Sequence, residues 1–424
     1  MRWFSRGILI VIHVRLHPGW LLLALLPGWS AQAASLSLDD ALLLAERNAP
    51  SLLAQNEKIS SAKSAAIPAG ELPDPKLNLG LQNVHIEGDE RWTTQRDNMS
   101  MQVVGLMQEM PNGDKRKARV ETAQAAIERA DAEAGVERLK VRSASAQAWI
   151  ATYTLQRKLA MFDDFYRENR LLDATVRARL AGGRASTVDA VAPRQKAALL
   201  DEQKEDLLRQ EAQARAALKR WIGQNASQEL RGDFPHWSID ASHSLQQLHQ
   251  HPELAAYGPM TREAEALVRE AVAEKKPDWS WEVDYQRRGR EFGDMMTLQV
   301  SFDLPLFTGT RQDPKIAARR AQVRQLEAER EALVREHEKM LEGDLAEYRR
   351  LQRAVERSTG TLVPLAEEKV RLATAGYRSG KTVLDEVVSA RQQLVEARLK
   401  QLDLQGSLAQ VAARLYFTYE EGRA

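Results

Sequence analysis

The 424-residue chain contains no cysteine. That excludes a disulfide framework, a thiolate metal centre, a cysteine nucleophile and a lipid-modified N-terminal cysteine. It also lacks an excess of either charge: the formal net charge of +1 argues against nucleic acid as a partner, because phosphate binding shows as a basic surplus. Beyond the first 34 residues no stretch is apolar over the roughly 20 positions that a membrane-spanning helix needs. There is no phosphate-cradling glycine loop and no Ser-His-Asp pattern, so an enzymatic reading has no residues to rest on and no cofactor is implied. Aromatics are scarce, with 9 Trp, 8 Tyr and 8 Phe, so their positions carry information.

Residues 1–34 place Arg2, Arg6 and Arg15 before the apolar stretch Trp20 to Leu26, then Pro27-Gly28 and the small-residue run Ala31-Gln32-Ala33-Ala34. That order is expected of a secretory signal peptide cut near Ala33 or Ala34. The alternative, an uncleaved anchor, suffers from Arg15 and His17, which shorten each apolar run. Removing the three arginines takes the formal charge from +1 to −2.

The remainder reads as two copies of one plan. Met99-Ser100-Met101-Gln102-Val103 is similar to Met296-Thr297-Leu298-Gln299-Val300, Gly183 falls on Gly380, and Asp189 on Glu386. Pro73-Asp74 matches Pro277-Asp278 upstream. Each copy is expected to run helix, strand pair, very long helix, Gly-containing turn, helix. The boundaries follow: a first repeat over 35–222, an irregular crossover over 223–243, and a second repeat over 244–424. The stretch from Asp114 to Leu180 has no proline and is rich in Ala, Arg, Glu and Leu; as one helix it would be ~100 Å long. Its counterpart, Asp313 to Arg378, carries an expected irregularity at Gly360 and Pro364. Leu38 to Ile67 and Ala185 to Ile222 read as shorter helices. Heptad spacing of Leu326, Leu333 and Met340, and of Val388, Val395 and Leu402, predicts packing along coiled-coil seams.

Four segments alternate with a period of two. Trp279, Trp281, Val283 and Tyr285 interleave with Ser280, Glu282, Asp284 and Gln286, while Leu298, Val300 and Phe302 interleave with Gln299 and Ser301. In the first copy Leu77, Leu79 and Leu81, and then Met101 and Val103, form the apolar sets. The predicted strands cover about 76–84, 99–107, 279–287 and 295–304. Such strands suit a membrane barrel with lipid outside and water inside, and equally the half-buried strands of a soluble sandwich. The count separates the two. Four strands cannot close a barrel, and open edges are not tolerated in lipid, so a membrane-spanning chain must share its barrel with other copies. Two copies give eight strands and a filled interior; three give twelve and room for a pore. A trimer is therefore expected, with loops Asn83 to Asn98 and Arg288 to Asp294 outside.

At this point the residues resemble the TolC-type outer-membrane efflux channels, over nearly the whole mature chain. The most specific stretch is Ala375-Gly376-Tyr377-Arg378-Ser379-Gly380 with Asp385-Glu386-Val387-Val388-Ser389-Ala390, followed by Leu394 and Ala397; Gly183-Arg184-Ala185-Ser186-Thr187-Val188-Asp189 is similar to its counterpart in the first copy. Leu72-Pro73-Asp74-Pro75-Lys76 and Gln108 to Arg116 resemble the branch associated with heavy-metal cation efflux. The resemblance implies a mainly α fold with a small β part: a long antiparallel coiled-coil tunnel crossing the periplasm and four membrane strands per protomer. It implies a homotrimer in the outer membrane, a periplasmic adaptor, and an inner-membrane pump of the resistance-nodulation-division type. The alternatives are a soluble periplasmic scaffold, or the same channel serving drug efflux or protein secretion.

The resemblance also implies a periplasmic gate at the tips, with turns at Gly182, Gly183 and Gly380. Tyr377 and Asp189 fall on two constraining positions, suggesting a hydroxyl-to-carboxylate bond between hairpins. The family's arginine position is Thr382 here, with Lys381 beside it. Asp385 and Glu386 lie at the second tip, and three copies of Glu386 would make an acidic constriction favouring cations. Asp189 and Glu386 are equally read as ordinary acids at helix starts, and Ser186 to Asp189 has capping-box spacing. His236, His243, His249 and His251 crowd the crossover without a spacing that imposes a metal site, and are read as surface histidines. Met99, Met101, Met107 and Met110 are expected to face lipid or fill packing gaps.

Overall fold

The computed structural model describes residues 35–94 and 96–420; the expected signal peptide lies outside the described residues. Helix α1 (Leu38–Asn48) starts at Ser37, whose hydroxyl accepts the Asp40 N–H at 3.2 Å. The expected helix over 38–67 is in fact two, because α2 (Pro50–Ala66) begins with a proline that drives Ala49 into extended geometry. After strands β1 (Lys76–Gln82) and β2 (Met101–Met110) come α3 (Gly113–Ala160) and α4 (Phe162–Ala181). The expected long helix is thus nearly continuous, interrupted only at Met161, whose N–H turns to the Lys158 carbonyl at 3.1 Å. The return helix α5 covers Ala192–Ile222.

The crossover is short helical turns and extended chain up to α6 (Ala241–Gln247), α7 (Pro252–Ala255) and α8 (Tyr257–Ala273). Strands β3 (Trp279–Arg287) and β4 (Met295–Phe302) then lead into α9 (Gln312–Arg357). A single π-helical turn over Ser358–Leu362, at the glycine and proline expected to disturb the helix, joins α9 to α10 (Val363–Ser379). Helix α11 (Leu384–Leu415) ends in a second π turn, Tyr416–Glu420.

The described residues form one antiparallel sheet in the order β1-β2-β3-β4, so β1 and β4 are edges. Helix α3 is the central beam, packing on α2, α5, α8 and α11. Cross-helix ion pairs tie α3 to α8, among them Glu121 with Arg269 at 2.7 Å and Arg119 with Glu270 at 2.8 Å. Each is partly exposed and contributes little; together they fix the register of the two helices. At Gly406 a Cβ would collide with the Thr154 side chain, so the glycine permits α11 to approach α3 closely.

The largest core lies along the C-terminal half of α3. Trp149 and Tyr153 stack with ring centroids 4.9 Å apart, Phe234 meets Tyr153 edge-on, and Ile150, Ile222 and Phe417 are buried with them. The crossover is pinned here: Leu36 bridges Leu230 in parallel, and the Trp149 indole N–H donates to the Leu36 carbonyl at 3.3 Å. What reads in the sequence as an irregular belt is held by backbone bonds to the segment around Leu36, just ahead of α1.

Candidate functional site

Strand register sorts the sheet into two faces. On one, Trp279 pairs with Phe302, Trp281 with Val300, Val283 with Leu298 and Tyr285 with Met296. Leu77 pairs with Leu106, and Leu79 with Val104. Much of this apolar face is bare in the protomer: Leu79 and Leu298 are 70% exposed and Phe302 61%, while Trp281 and Val283 on the inner strand are half-buried. Trp279, Trp281 and Phe302 gather at the helix end of the strands, Leu and Val occupy the middle, and Tyr285 sits near the far end. That is the arrangement of an aromatic girdle beside an apolar band.

The opposite face is polar. Lys76 pairs with Glu109, the Asn78 amide donates to the Glu282 carboxylate at 2.5 Å, and the Gln286 amide donates to the Thr297 hydroxyl at 3.1 Å. A Cβ at Gly105 would collide with the Asp284 carboxylate, so this glycine makes room for an acid lying flat on the wall. Here the register corrects the sequence reading of β2. Val104 and Leu106, not Met101 and Val103, join the apolar face; Val103 pairs with Gly80 and Gln286, and Met107 with Lys76 and Glu282. Met101 and Met107 therefore lie on the polar face rather than toward lipid.

The junction of strands and helices turns on Asp278, which was noted in the sequence only as part of a repeat. Its carboxylate accepts the Asn112 N–H at 2.8 Å, the Asn112 amide at 2.9 Å and the Lys115 ammonium at 2.7 Å. Burial pushes its pKa up, but Lys115 and the Asn112 N–H more than offset this and hold it below the usual carboxylate range. Asn112 in turn caps α3 through the Lys115 N–H at 3.0 Å. One acid thus locks the β2–α3 corner to the α8–β3 corner.

At the other end of the long helices, two hairpin turns meet. Gly380 closes α10 in left-handed geometry, φ +77°, with the Lys381 N–H returning to the Gly376 carbonyl at 2.8 Å. Gly183 has φ +65° and follows Gly182, which ends α4. Tyr377 is buried with Leu172, Val176, Leu384 and Val387. The Arg179 guanidinium lies over the Tyr377 ring, 4.1 Å from its centroid, and donates to the Tyr377 carbonyl. The Tyr377 hydroxyl has no hydrogen-bond partner among the described residues. Burial and, less strongly, Asp189 raise its pKa against the pull of Arg179.

Tyr377 and Asp189 are brought into electrostatic range but not bonded. The Asp189 carboxylate instead accepts the Ser186 N–H at 2.8 Å while the Asp189 N–H reaches the Ser186 hydroxyl at 3.3 Å, the reciprocal pattern of a capping box. Lys381, Asp385 and Glu386 are exposed and make no ion pair among the described residues. Arg179, which spans the two hairpins, was missed in the sequence; no motif marks it.

Residues 245–418 match the family model described as outer membrane efflux protein. The cobalt-zinc-cadmium resistance protein CzcC of Cupriavidus metallidurans is 24% identical over 399 residues, 92% of each chain. The solved outer membrane protein VceC from Vibrio cholerae superposes with a TM-score of 0.74 at 18% identity, covering 90% of this chain and 96% of that one. CusC, whose structures concern folding and transmembrane channel formation, gives a TM-score of 0.76 at 17% identity over 95% and 96% of the two chains. The resemblance read from the sequence holds at the level of similarity and fold: the second half of the chain matches the efflux-protein model, and the whole shares with these solved outer membrane proteins a mainly helical fold and a small antiparallel sheet.

Proposed function

We propose that the mature chain is the outer-membrane component of a tripartite efflux system: a passive channel, not an enzyme, built from three identical subunits. The observation that carries this is the sheet, apolar on its outward face, polar on the other, and open at both edges. In lipid every backbone group at an edge needs a partner. Three copies, each contributing four strands, join β4 of one to β1 of the next and close a twelve-stranded barrel around the polar face. A strand of nine residues tilted by ~45° rises about 21 Å, close to the ~25 Å apolar band of such barrels. The two halves, 35–222 and 244–424, act as repeats of one unit, and the helices continue the barrel as a tunnel into the periplasm.

The tips carry the gate. Arg179 and Tyr377 hold the two hairpins of a protomer near one another, with Asp189 in electrostatic range, and the unpartnered Tyr377 hydroxyl becomes available to a carboxylate when the hairpins shift. Glu386, repeated three times around the axis, narrows the exit with negative charge. A periplasmic adaptor and an inner-membrane pump of the resistance-nodulation-division type supply cargo and energy. The cargo is heavy-metal cations; the likeness to a cobalt-zinc-cadmium resistance protein and the acids Glu282, Asp284 and Glu386 along the path support this. A deletion strain challenged with a panel of divalent metals and organic drugs should lose metal tolerance. Loss of drug tolerance alone would contradict the cargo assignment while leaving the channel intact.

A further inference from the structure

Away from the barrel and the tips, two buried histidines meet. His251, at the start of α7, and His337, in the middle of α9, are 4% and 2% exposed, and their ring centroids are 4.2 Å apart. Glu253, also on α7, lies against them: its Oε2 is 3.1 Å from His337 Nε2. One donor atom from each of the three lies within 4.8 Å of the others. Tyr419 completes the surround, its hydroxyl oxygen 3.4 Å from His337 Nδ1 and its O–H directed to the His337 carbonyl at 3.4 Å. A cavity of 690 Å³ borders His251 and Tyr419, so the cluster has a route to solvent.

We propose that His251, His337 and Glu253 form a binding site for a borderline divalent cation such as Zn²⁺ or Co²⁺, joining the crossover to α9 and to the C-terminal turn. Two imidazoles and one carboxylate are a donor set these ions take in tetrahedral sites, with the fourth position left to water. Bonds of ~2.0–2.1 Å place neighbouring ligands about 3.3 Å apart, and the Glu253–His337 separation of 3.1 Å is close to that spacing. The ion takes the place of the proton held between His337 Nε2 and Glu253. That proton moves to Nδ1, which donates to the Tyr419 oxygen, while the Tyr419 O–H stays with the His337 carbonyl. This is the outer-shell bond that orients a ligating histidine. His251 Nδ1 accepts the Glu253 N–H at 3.2 Å, so ligation through Nε2 keeps this helix cap, whereas ligation through Nδ1 would exchange it for the metal bond. Lys140, 3.9 Å from the other Glu253 oxygen, is 61% exposed and free to turn outward. The site lies in the belt and not on the polar strand face, so its occupancy would brace the belt whatever the channel carries.

The test is Co²⁺ titration of the full mature protein in detergent after chelator treatment, read by visible absorption and by bound metal per chain, with Zn²⁺ as competitor. The expected result is one Co²⁺ per chain with the intense visible bands of tetrahedral coordination, displaced by Zn²⁺. His337→Gln and Glu253→Gln should weaken binding by more than the roughly 10–100-fold that loss of an outer-shell partner costs. His251→Asn, which keeps a good helix cap while removing the imidazole, should do the same without unfolding α7. The loop group His85, Glu90 and Asp97, of which only Asp97 is buried, is the internal control. Binding that persists in the three belt variants but vanishes in His85→Ala would overturn the proposal, as would a wild-type protein with no saturable Co²⁺ site.

Discussion

The belt and the sheet of this molecule are built by opposite rules. In the belt Trp149, Tyr153, Ile222 and Phe417 are at most 3% exposed, packed inward around α3. In the sheet Trp279, Leu298 and Phe302 are turned outward and 39–70% exposed. Burial of a large apolar side chain stabilises by about 1.5–3 kcal/mol, so a soluble domain would not leave a whole face of such residues in water. The difference teaches that the belt is folded for water and the sheet for hydrocarbon, with Asp278 and Asn112 at the border.

The comparison breaks most visibly in the belt. Trp149→Ala should cost about 3–5 kcal/mol and lower the thermal midpoint of the helical signal, whereas Phe302→Ala, outward on the sheet, should leave that midpoint nearly unchanged in detergent. If both fell equally, the sheet would be an ordinary core. Next, Leu298→Arg should cost about 2–4 kcal/mol at the bilayer midplane and reduce recovery in the outer-membrane fraction. Gln299→Arg, one residue along on the polar face, should insert normally and alter ion selectivity in planar bilayers. Third, Gly105→Ala should cost about 1–3 kcal/mol through overpacking against Asp284, and pairing it with Asp284→Ala should restore much of the loss in assembly.

Asp278 sharpens the border by pH. Its folded pKa is depressed, so the stability it contributes is present above the ordinary carboxylate value of 3.8 and is lost as pH falls through the lower, folded value. The thermal midpoint of wild type should therefore exceed that of Asp278→Asn near neutrality, and the gap should shrink below the ordinary carboxylate range. A gap constant down to the lowest pH would remove Asp278 from this role. At the tips the effect on stability is smallest: Tyr377→Phe with Asp189→Ala should leave the fold unchanged and raise single-channel conductance.

Much of the sheet was legible because alternation is local. The limits of β3 are those read from its Trp-Ser-Trp-Glu pattern, and the disturbed turn at Gly360 and Pro364 is a π turn. β2 was misjudged by one residue because Val103 and Val104 are both apolar and Gly105 has no side chain to mark its face in the sequence, so period alone left two settings; pairing with Leu77 and Leu79 selects one. The stop at Met161 has no proline or glycine to announce it. The reciprocal Ser186–Asp189 bonds were visible as spacing, but they close the turn ahead of α5, which starts at Ala192 rather than Ala185 and has no side-chain cap; the reach of Arg179 to Tyr377 was not visible. The surface assignment fails for His251 alone among the crossover histidines considered, since the residue it meets, His337, lies far along the chain on α9, where helical periodicity marks it only as one more position.

The account rests on shared closure of the sheet, and the most direct measurement is the native mass of the detergent-extracted protein. A mass of three chains, with one conducting pore per assembly in planar bilayers, is predicted. A folded monomer, stable and soluble after detergent is removed, would contradict it.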